Sequence, residues 1–245
     1  LHSGGADAVL LPEPSNLVPY RAHRGLRVAQ LSIAGTGGVT FAGDTLRPAV
    51  HDLPALIQGI VAFGESRQRG GAIPEAYAHN PQPANWMITK VRANDWRDDA
   101  RLAVPESAHV ELFWEAMPGE TQAAIEAEFE AWLDDFRQRT GIAVSHRYWL
   151  RWMDGYQLRP DHPLARSAEC HTAAVTGRAQ AAVGAPFPCD LFLFDRLGVP
   201  AGIILGPAGN NAHTANEWVD TESILQVVRI YGRIACDWCS QPKEG

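Results

Sequence analysis

An apolar run that stops at a glycine–proline pair constrains this chain more than any other stretch. Ala201 to Leu205 reads AGIIL and is followed directly by Gly206-Pro207. Proline has no backbone N–H to give to a sheet, so the run predicts a buried strand that ends at Gly206. Small and polar residues then surround one histidine, His213. A histidine held near a strand end by such a loop suits a metal ligand or a general base, and an ordinary surface histidine is the alternative.

A second constrained turn lies near the start of the sequence. Ala6 to Leu11 is mostly apolar and predicts a short strand, which ends at Pro12-Glu13-Pro14. A carboxylate between two prolines has a direction that is fixed at little entropic cost. Taken alone, the stretch favours a plain proline-rich loop that leaves Glu13 in water.

Composition places the chain among globular proteins and excludes several partners. Its 245 residues are 46% hydrophobic and 20% charged, with a formal net charge of −7. The negative charge argues against nucleic acid or an anionic membrane surface as the main partner. No apolar run approaches the roughly 20 residues of a membrane-spanning helix, and no signal-peptide pattern is visible. Four cysteines are too few for a disulfide-built domain, so we expect a cytoplasmic location.

The two turns together resemble a known family. The segments GPAGNNAHTANEWV, from Gly206, and ADAVLLPEPSN, from Ala6, resemble motifs of the di-zinc aminoacylase and carboxypeptidase G family, which includes acetylornithine deacetylase and succinyl-diaminopimelate desuccinylase. The resemblance implies that Glu13 and His213 are metal ligands, each to a different zinc ion, with cobalt or manganese as alternatives. It also places a set of residues beside the substrate: Gly206, Gly209, Asn211 and Asp190. For Asp190, a helix N-cap is the alternative role.

The middle of the chain has the pattern of an inserted unit. Apolar residues alternate along two segments near Ile88 and Val110, which predicts half-buried strands. After Pro118-Gly119, apolar residues recur at helical spacing from Ile125 to Phe136. The segment VPESAHVELFWEAMPGET resembles the family's lid domain, which often dimerises. The resemblance therefore implies an α/β fold, with part of a zinc-exopeptidase-like three-layer α/β catalytic domain (1–24 and 144–245) and an inserted α+β lid (25–143).

The lid segment departs from the family at three positions. The family usually carries a histidine, an asparagine and an arginine where this chain has Val39, Leu102 and Glu115. In the family these side chains help to stabilise the oxyanion and to recognise a substrate carboxylate. Both roles are therefore in doubt for this chain.

Two helical segments are predicted in the last third of the chain. Ala168 to Gln180 is rich in alanine and favours a helix. A final helix is expected over about Thr221 to Cys239, and we assign its buried face to positions at helical spacing, namely Ile224, Val228, Tyr231, Ala235 and Trp238. Cys236 and Cys239 form a CxxC pair within it, without a second pair to complete a zinc site.

The resemblance covers the later part of the family only. Family members begin with a segment that supplies a His-x-Asp motif, a bridging Asp and a Glu-Glu pair, and this sequence contains neither a His-x-Asp motif nor a Glu-Glu pair. One ligand per ion cannot hold zinc tightly, because a catalytic zinc takes about three protein ligands. We therefore expect the general base to lie in a missing N-terminal segment and the chain alone to be inactive.

These observations lead to two hypotheses of function. The first is a zinc-dependent hydrolase that cleaves a linear amide bond of an N-acyl amino acid or a small peptide. Such an enzyme would form a homodimer through its lid and would take its N-terminal portion from the same protein or from a separate chain. The alternative is a non-catalytic binding or assembly subunit built on the same fold.

Overall fold

The protein is built around two separate β-sheets. The computed structural model describes residues 5–38, 46–79, 84–93 and 104–240. A mixed sheet combines strands from both ends of the chain, and an antiparallel sheet is formed by the middle. This is the mixed α/β architecture that the sequence predicts.

The antiparallel sheet has four strands in the order β4-β5-β3-β6. Its strands are β3 (Gly25–Ala34), β4 (Trp86–Arg92), β5 (Ser107–Ala116) and β6 (Val144–Tyr148). Residues alternate along β3 and β5, so that Leu31 and Leu112 are buried on one face while Gln30 and Glu111 lie on the other. The two predicted strands near Ile88 and Val110 are confirmed. β6 pairs with β3 although it follows residue 143, so residues 144–148 extend this sheet.

Two long helices cover the buried face of the antiparallel sheet. They are α1 (Ala49–Gly70) and α2 (Gln122–Thr140). The hydroxyl of Thr121 accepts the Ala124 N–H at 3.3 Å to start α2, and Gly141 ends it with a positive φ of 67°. The predicted apolar spacing of α2 is confirmed, because its buried residues are Ile125, Phe129, Leu133 and Phe136. They pack with Leu56 and Ile60 of α1 in one core.

The mixed sheet follows the order β1-β9-β2-β7, with β8 paired to β2. Its strands are β1 (Val9–Leu11), β2 (Tyr20–His23), β7 (Tyr156–Gln157), β8 (Val183–Gly184) and β9 (Gly202–Ile204). β1 and β9 run parallel, with Val9 opposite Gly202 and Leu11 opposite Ile204. The predicted strand ending before Gly206 is therefore confirmed as β9, and all three of its residues are buried. A short hairpin beyond it pairs β10 (Gly209–Asn210) with β11 (Trp218–Val219).

Three helices accompany the mixed sheet: α3 (Pro163–Thr176), α4 (Leu191–Arg196) and α5 (Thr221–Ser240). The sequence predicts helix as far as Gln180, but α3 ends at Thr176 because Gly177 takes a left-handed conformation. α3 packs against α5.

The face that we assigned to α5 is wrong. Its buried residues are Ser223, Val227, Ile230 and Ile234, whereas Ile224 and Val228 are exposed. Tyr231 and Trp238 are partly buried against the same core. The apolar stripe of α5 is wider than the side that meets the sheet, so spacing alone does not identify which part of the stripe is buried.

Within the described residues, none of the helices has the length and apolar character needed to cross a membrane.

Candidate functional site

The parallel pair β1 and β9 places Glu13 and Gly206 at the same sheet edge. The carboxyl ends of parallel strands meet at one edge, and the Leu205 N–H continues the pairing by donating to the Leu11 carbonyl at 3.0 Å. The approach beyond this point is very close. A Cβ atom on Gly206 would lie 2.0 Å from the Glu13 carbonyl oxygen. Only glycine fits there, which explains why the strand ends in Gly206-Pro207.

Two polar residues after Glu13 clamp the turn to the loop that follows β9. The buried Ser15 hydroxyl accepts the Gly206 N–H at 2.9 Å and lies 3.2 Å from the Gly206 carbonyl, to which it donates. The Asn16 side-chain oxygen accepts the Gly209 N–H at 3.0 Å. Sequence reasoning missed both residues. The available signal was their position after a proline turn, because asparagine tolerates the left-handed conformation that Asn16 adopts, with φ of 54°.

His213 lies in the exposed loop that joins β10 to β11. Asn211 and His213 both have a positive φ, of 61° and 64°. The loop is held by its own hydrogen bonds, since the Thr214 hydroxyl donates to the Asn211 carbonyl and the Asn211 amide donates to the Asn216 carbonyl. The Asn211 side chain is therefore engaged within the loop. The predicted ligand His213 and the predicted substrate contact Asn211 lie together in this loop, whose base at Gly209 is tied to Asn16.

Cys189 and Asp190 directly precede α4, and Cys189 is close enough to Glu13 to feel its charge. Burial raises the pKa of the Cys189 thiol to about 12, and the negative charges of Glu13 and Asp190 raise it further, against a hydrogen bond with the Leu191 backbone. Asp190 occupies the N-cap position of α4, but its side chain makes no capping hydrogen bond. It lies instead 3.9 Å from the guanidinium of Arg151. The capping role that we considered for Asp190 is therefore wrong, and its carboxylate is exposed.

His23 is a buried titratable residue that the sequence did not single out. It has 0% exposure, and its Nδ1–H donates to the Arg24 carbonyl at 2.8 Å. Burial lowers the pKa of His23 to about 4, while that hydrogen bond and the charges of Asp154 and Asp190 act in the opposite direction. A neutral imidazole at neutral pH follows. Within the described part of the chain, its Nε2 has no hydrogen-bond partner.

The described residues do not by themselves make a zinc site. Among them, no group of three or more His, Cys, Asp or Glu side chains is placed to hold a metal ion. Zinc in a hydrolase takes about three protein ligands and a water. Within the ranges that the structure describes, the chain therefore does not complete a metal site.

Comparison with known proteins decides the family. The sequence model described as peptidase family M20/M25/M40 matches residues 6–237. The chain belongs to peptidase family M20/M25/M40. The match confirms the resemblance to the family as a whole. It does not identify this chain with the acetylornithine deacetylase branch of that family. Among curated protein sequences, none matches this chain significantly.

Solved structures share the fold of this M20 chain. The di-peptidase Dug1p of Saccharomyces cerevisiae superposes with a TM-score of 0.72 at 13% identity, over 97% of this chain and 60% of its own. Human carnosine dipeptidase 1 superposes with a TM-score of 0.68 at 12% identity, over 93% of this chain and 58% of its own. The YXEP protein of Bacillus subtilis is described as a dinuclear metal binding peptidase. It superposes with a TM-score of 0.60 at 14% identity, over 96% of this chain and 58% of its own. The chain thus spans about three fifths of the length of each of these proteins.

One of the three departures from the family pattern lies in the described structure. Val39 and Leu102 fall outside the described residues. Glu115 is buried, and its carboxylate pairs with the Arg24 guanidinium at 2.6 Å. It also accepts the Asn85 N–H at 2.9 Å. In this M20 chain the Glu115 charge is therefore neutralised inside the protein.

Proposed function

We propose that this chain carries part of a metal-dependent hydrolase that cleaves a linear amide bond in a small peptide or an N-acyl amino acid. Its membership of peptidase family M20/M25/M40 supports hydrolysis of peptide or amide bonds. The observation that carries the proposal is the sheet edge where Glu13, Gly206 and the root of the His213 loop are tied together. The names of the structural neighbours, two of them dipeptidases, favour a short peptide as substrate.

We assign the metal ligands of this chain to Glu13 and His213, one for each of two ions. Zinc is the metal we propose first, and cobalt or manganese would suit the same oxygen and nitrogen donors. A metal pair of this kind polarises the carbonyl of the scissile bond and activates water at neutral pH. Gly206, Gly209 and Asn211 would border the substrate, and the exposed carboxylate of Asp190 would lie beside it.

The remaining ligands and the general base would come from a further segment, in the same polypeptide or in a separate chain. Two features of the surface support this. β1 is an edge strand, since no strand among the described residues pairs with its outer side. Large apolar side chains are exposed on β11 and the start of α5, among them Trp218, Val219 and Leu225. Exposed apolar surface and an unpaired sheet edge each favour a covering partner.

We also propose a homodimer that forms through the antiparallel sheet. Its edge strand β4 carries the exposed side chains Met87 and Val91. An open edge with apolar side chains is suited to pairing with a second copy. A cytoplasmic location remains part of the proposal, supported by four cysteines that are all free.

The test compares the chain alone with a form that includes the reading frame upstream of Leu1. Bound zinc is measured by elemental analysis, and hydrolysis is assayed on a panel of dipeptides and N-acyl amino acids. We expect the longer form to bind two zinc ions and to hydrolyse at least one class of substrate. Glu13→Gln and His213→Asn should each remove metal and activity from the longer form. Glu65→Gln and His51→Asn, which change exposed residues of α1, are the matched controls.

The same experiment decides against the enzyme if the longer form binds no metal and leaves every substrate intact. The alternative of a non-catalytic assembly subunit would then gain support. If Glu13→Gln and His213→Asn behave like their controls in an active longer form, the hydrolase stands but our ligand assignment fails.

A further inference from the structure

The chain passes between its two sheets at two neighbouring points. Arg24 connects β2 to β3, and residues 149–155 connect β6 to β7. The two connections are bonded to each other, because the Leu26 N–H donates to the Met153 carbonyl at 2.9 Å and the Met153 N–H donates back at 3.2 Å. A Cβ atom on Gly25 would lie 2.7 Å from the Met153 carbonyl oxygen. Two adjacent connections of this kind form a hinge unless other contacts restrain it.

Arg24 restrains this hinge through a buried ion pair. Its guanidinium and the Glu115 carboxylate are 2.6 Å apart, with side-chain exposures of 2% and 3%. Glu115 ends the antiparallel unit on β5, opposite Leu26, while the Arg24 N–H donates to the Phe187 carbonyl on the mixed-sheet side at 3.3 Å. Arg24 therefore holds both parts at once. Removal of one partner of a buried pair leaves a poorly compensated charge, which is strongly unfavourable.

Tyr77 adds a second contact across the same boundary. It belongs to a 3-10 turn (Glu75–Tyr77) that follows α1, and its hydroxyl donates to the Ala185 carbonyl at 3.1 Å. The ring lies where a Cβ on Gly184 would be 2.6 Å away, so it is packed directly on β8. The Arg24 guanidinium carbon is 5.5 Å from the centre of this ring. The ion pair and the tyrosine thus form one buried cluster.

We propose that Arg24, Glu115 and Tyr77 act as a latch that fixes the antiparallel sheet and its two helices at one angle to the mixed sheet. The three are positioning residues. Rotation about the two connections would break the Tyr77 hydroxyl bond and open the Arg24–Glu115 pair to water. The latch therefore stabilises the orientation of the antiparallel unit that the structure shows. This inference does not depend on the proposed hydrolase activity.

Glu115→Gln tests the latch by hydrogen exchange of the full chain. Glutamine keeps the size of the side chain and can still accept the Asn85 N–H, but it removes the negative charge that faces the Arg24 guanidinium. We expect the amides of Arg24, Leu26 and Met153 to exchange at least about tenfold faster, because they report opening between the sheets. Amides inside the antiparallel sheet, such as that of Val110, should keep their rates. Tyr77→Phe should accelerate the same junction amides by a smaller factor.

The matched control is Glu111→Gln. Glu111 lies on the same strand and sheet face as Glu115 and is also ion-paired, to the exposed Lys90, so loss of its charge should leave the junction amides unchanged. An equal acceleration of junction and sheet amides in Glu115→Gln would mean that the pair only stabilises the whole fold, and the latch would be rejected. Junction rates equal to those of the control would reject it as well.

A double variant covers the case in which Glu115→Gln does not fold. Arg24→Met with Glu115→Met removes both charges, and buried ion pairs replaced by apolar residues often retain stability. We expect a folded protein whose junction amides still exchange faster than those of the original chain, since the directional bonds are gone. Exchange at the original rates would show that packing alone fixes the orientation.

Discussion

At the residue scale, the close approach of the β1 and β9 segments at the sheet edge depends on the absence of a single side chain. Gly206 is the clearest case, because the space that any side chain would need is filled by the backbone of Glu13. The contact joins residues from the two ends of the chain at the position where both candidate ligand segments begin.

Gly206→Ala should therefore lower the free energy of unfolding by about 3 kcal/mol, since the clash is with backbone and cannot be relieved by a rotamer change. Urea unfolding followed by circular dichroism measures it. Gly232→Ala is the control. Gly232 lies inside α5 with open space where the methyl group of an alanine would lie, and alanine there should stabilise the helix by about 1 kcal/mol. Equal effects of the two changes would contradict the close approach at Gly206.

His23 makes a prediction for pH. Burial lowers the pKa of His23 from 6.5 to about 4, so the unfolded chain binds a proton at a higher pH than the folded chain. The free energy of unfolding should therefore rise with pH between about 4 and 6.5, by about 3 kcal/mol from this residue, and should fall as acid is added. The contribution is complete above pH 6.5.

Urea unfolding at several pH values checks this expectation. His23→Gln should remove that share of the pH dependence, whereas His51→Gln, at an exposed position, should keep it. An unchanged slope in His23→Gln would show that His23 titrates normally in the folded protein.

At the scale of elements, the strands and α2 follow from local pattern, but α5 does not. In β5 the buried positions alternate from Ala108 to Trp114, and in α2 they recur at helical spacing, so the spacing identifies the buried side. α5 carries apolar residues on both its buried and its exposed sides. Only the contact with α3 and the mixed sheet selects Val227, Ile230 and Ile234.

Two truncations in α5 test which face is buried. Ile230→Ala should lower the free energy of unfolding by about 3 kcal/mol, because a fully buried side chain leaves a cavity. Val228→Ala should change it by less than about 0.5 kcal/mol, because Val228 is 63% exposed. Thermal unfolding of both variants gives the comparison, and a larger loss for Val228→Ala would restore the face that spacing alone suggested.

At the scale of the whole molecule, two strands have one side that no strand among the described residues pairs with. One is β1, on its outer side beside the candidate ligands, and the other is the edge strand β4. The outer side of β1 is where we propose that the segment with the remaining metal ligands binds. The edge strand β4 is where we propose that the homodimer forms.

The dimer leads to a direct prediction. Met87→Glu together with Val91→Glu should convert the protein from a dimer to a single chain, because the added charges would repel across a paired edge. Light scattering coupled to gel filtration gives the mass. Val61→Glu, at an exposed position on α1, should leave the mass unchanged. A monomeric parent chain, or a dimer that survives the double change, would remove the antiparallel sheet edge as the interface.

The sequence by itself determined the elements whose signal is local. Gly206-Pro207 ended a strand, alternation marked β4 and β5, helical spacing marked α2, and the two short motifs pointed to the M20 family. Only the tertiary structure decided which distant residues meet. Ser15 and Gly206 are 191 positions apart in the sequence, and Arg24 and Glu115 are 91 apart. The sequence around each residue does not identify the distant residue that it contacts. The spacing of apolar residues predicts which side of a helix or strand is buried. Contacts between residues so far apart in the sequence depend instead on how the sheets pack together.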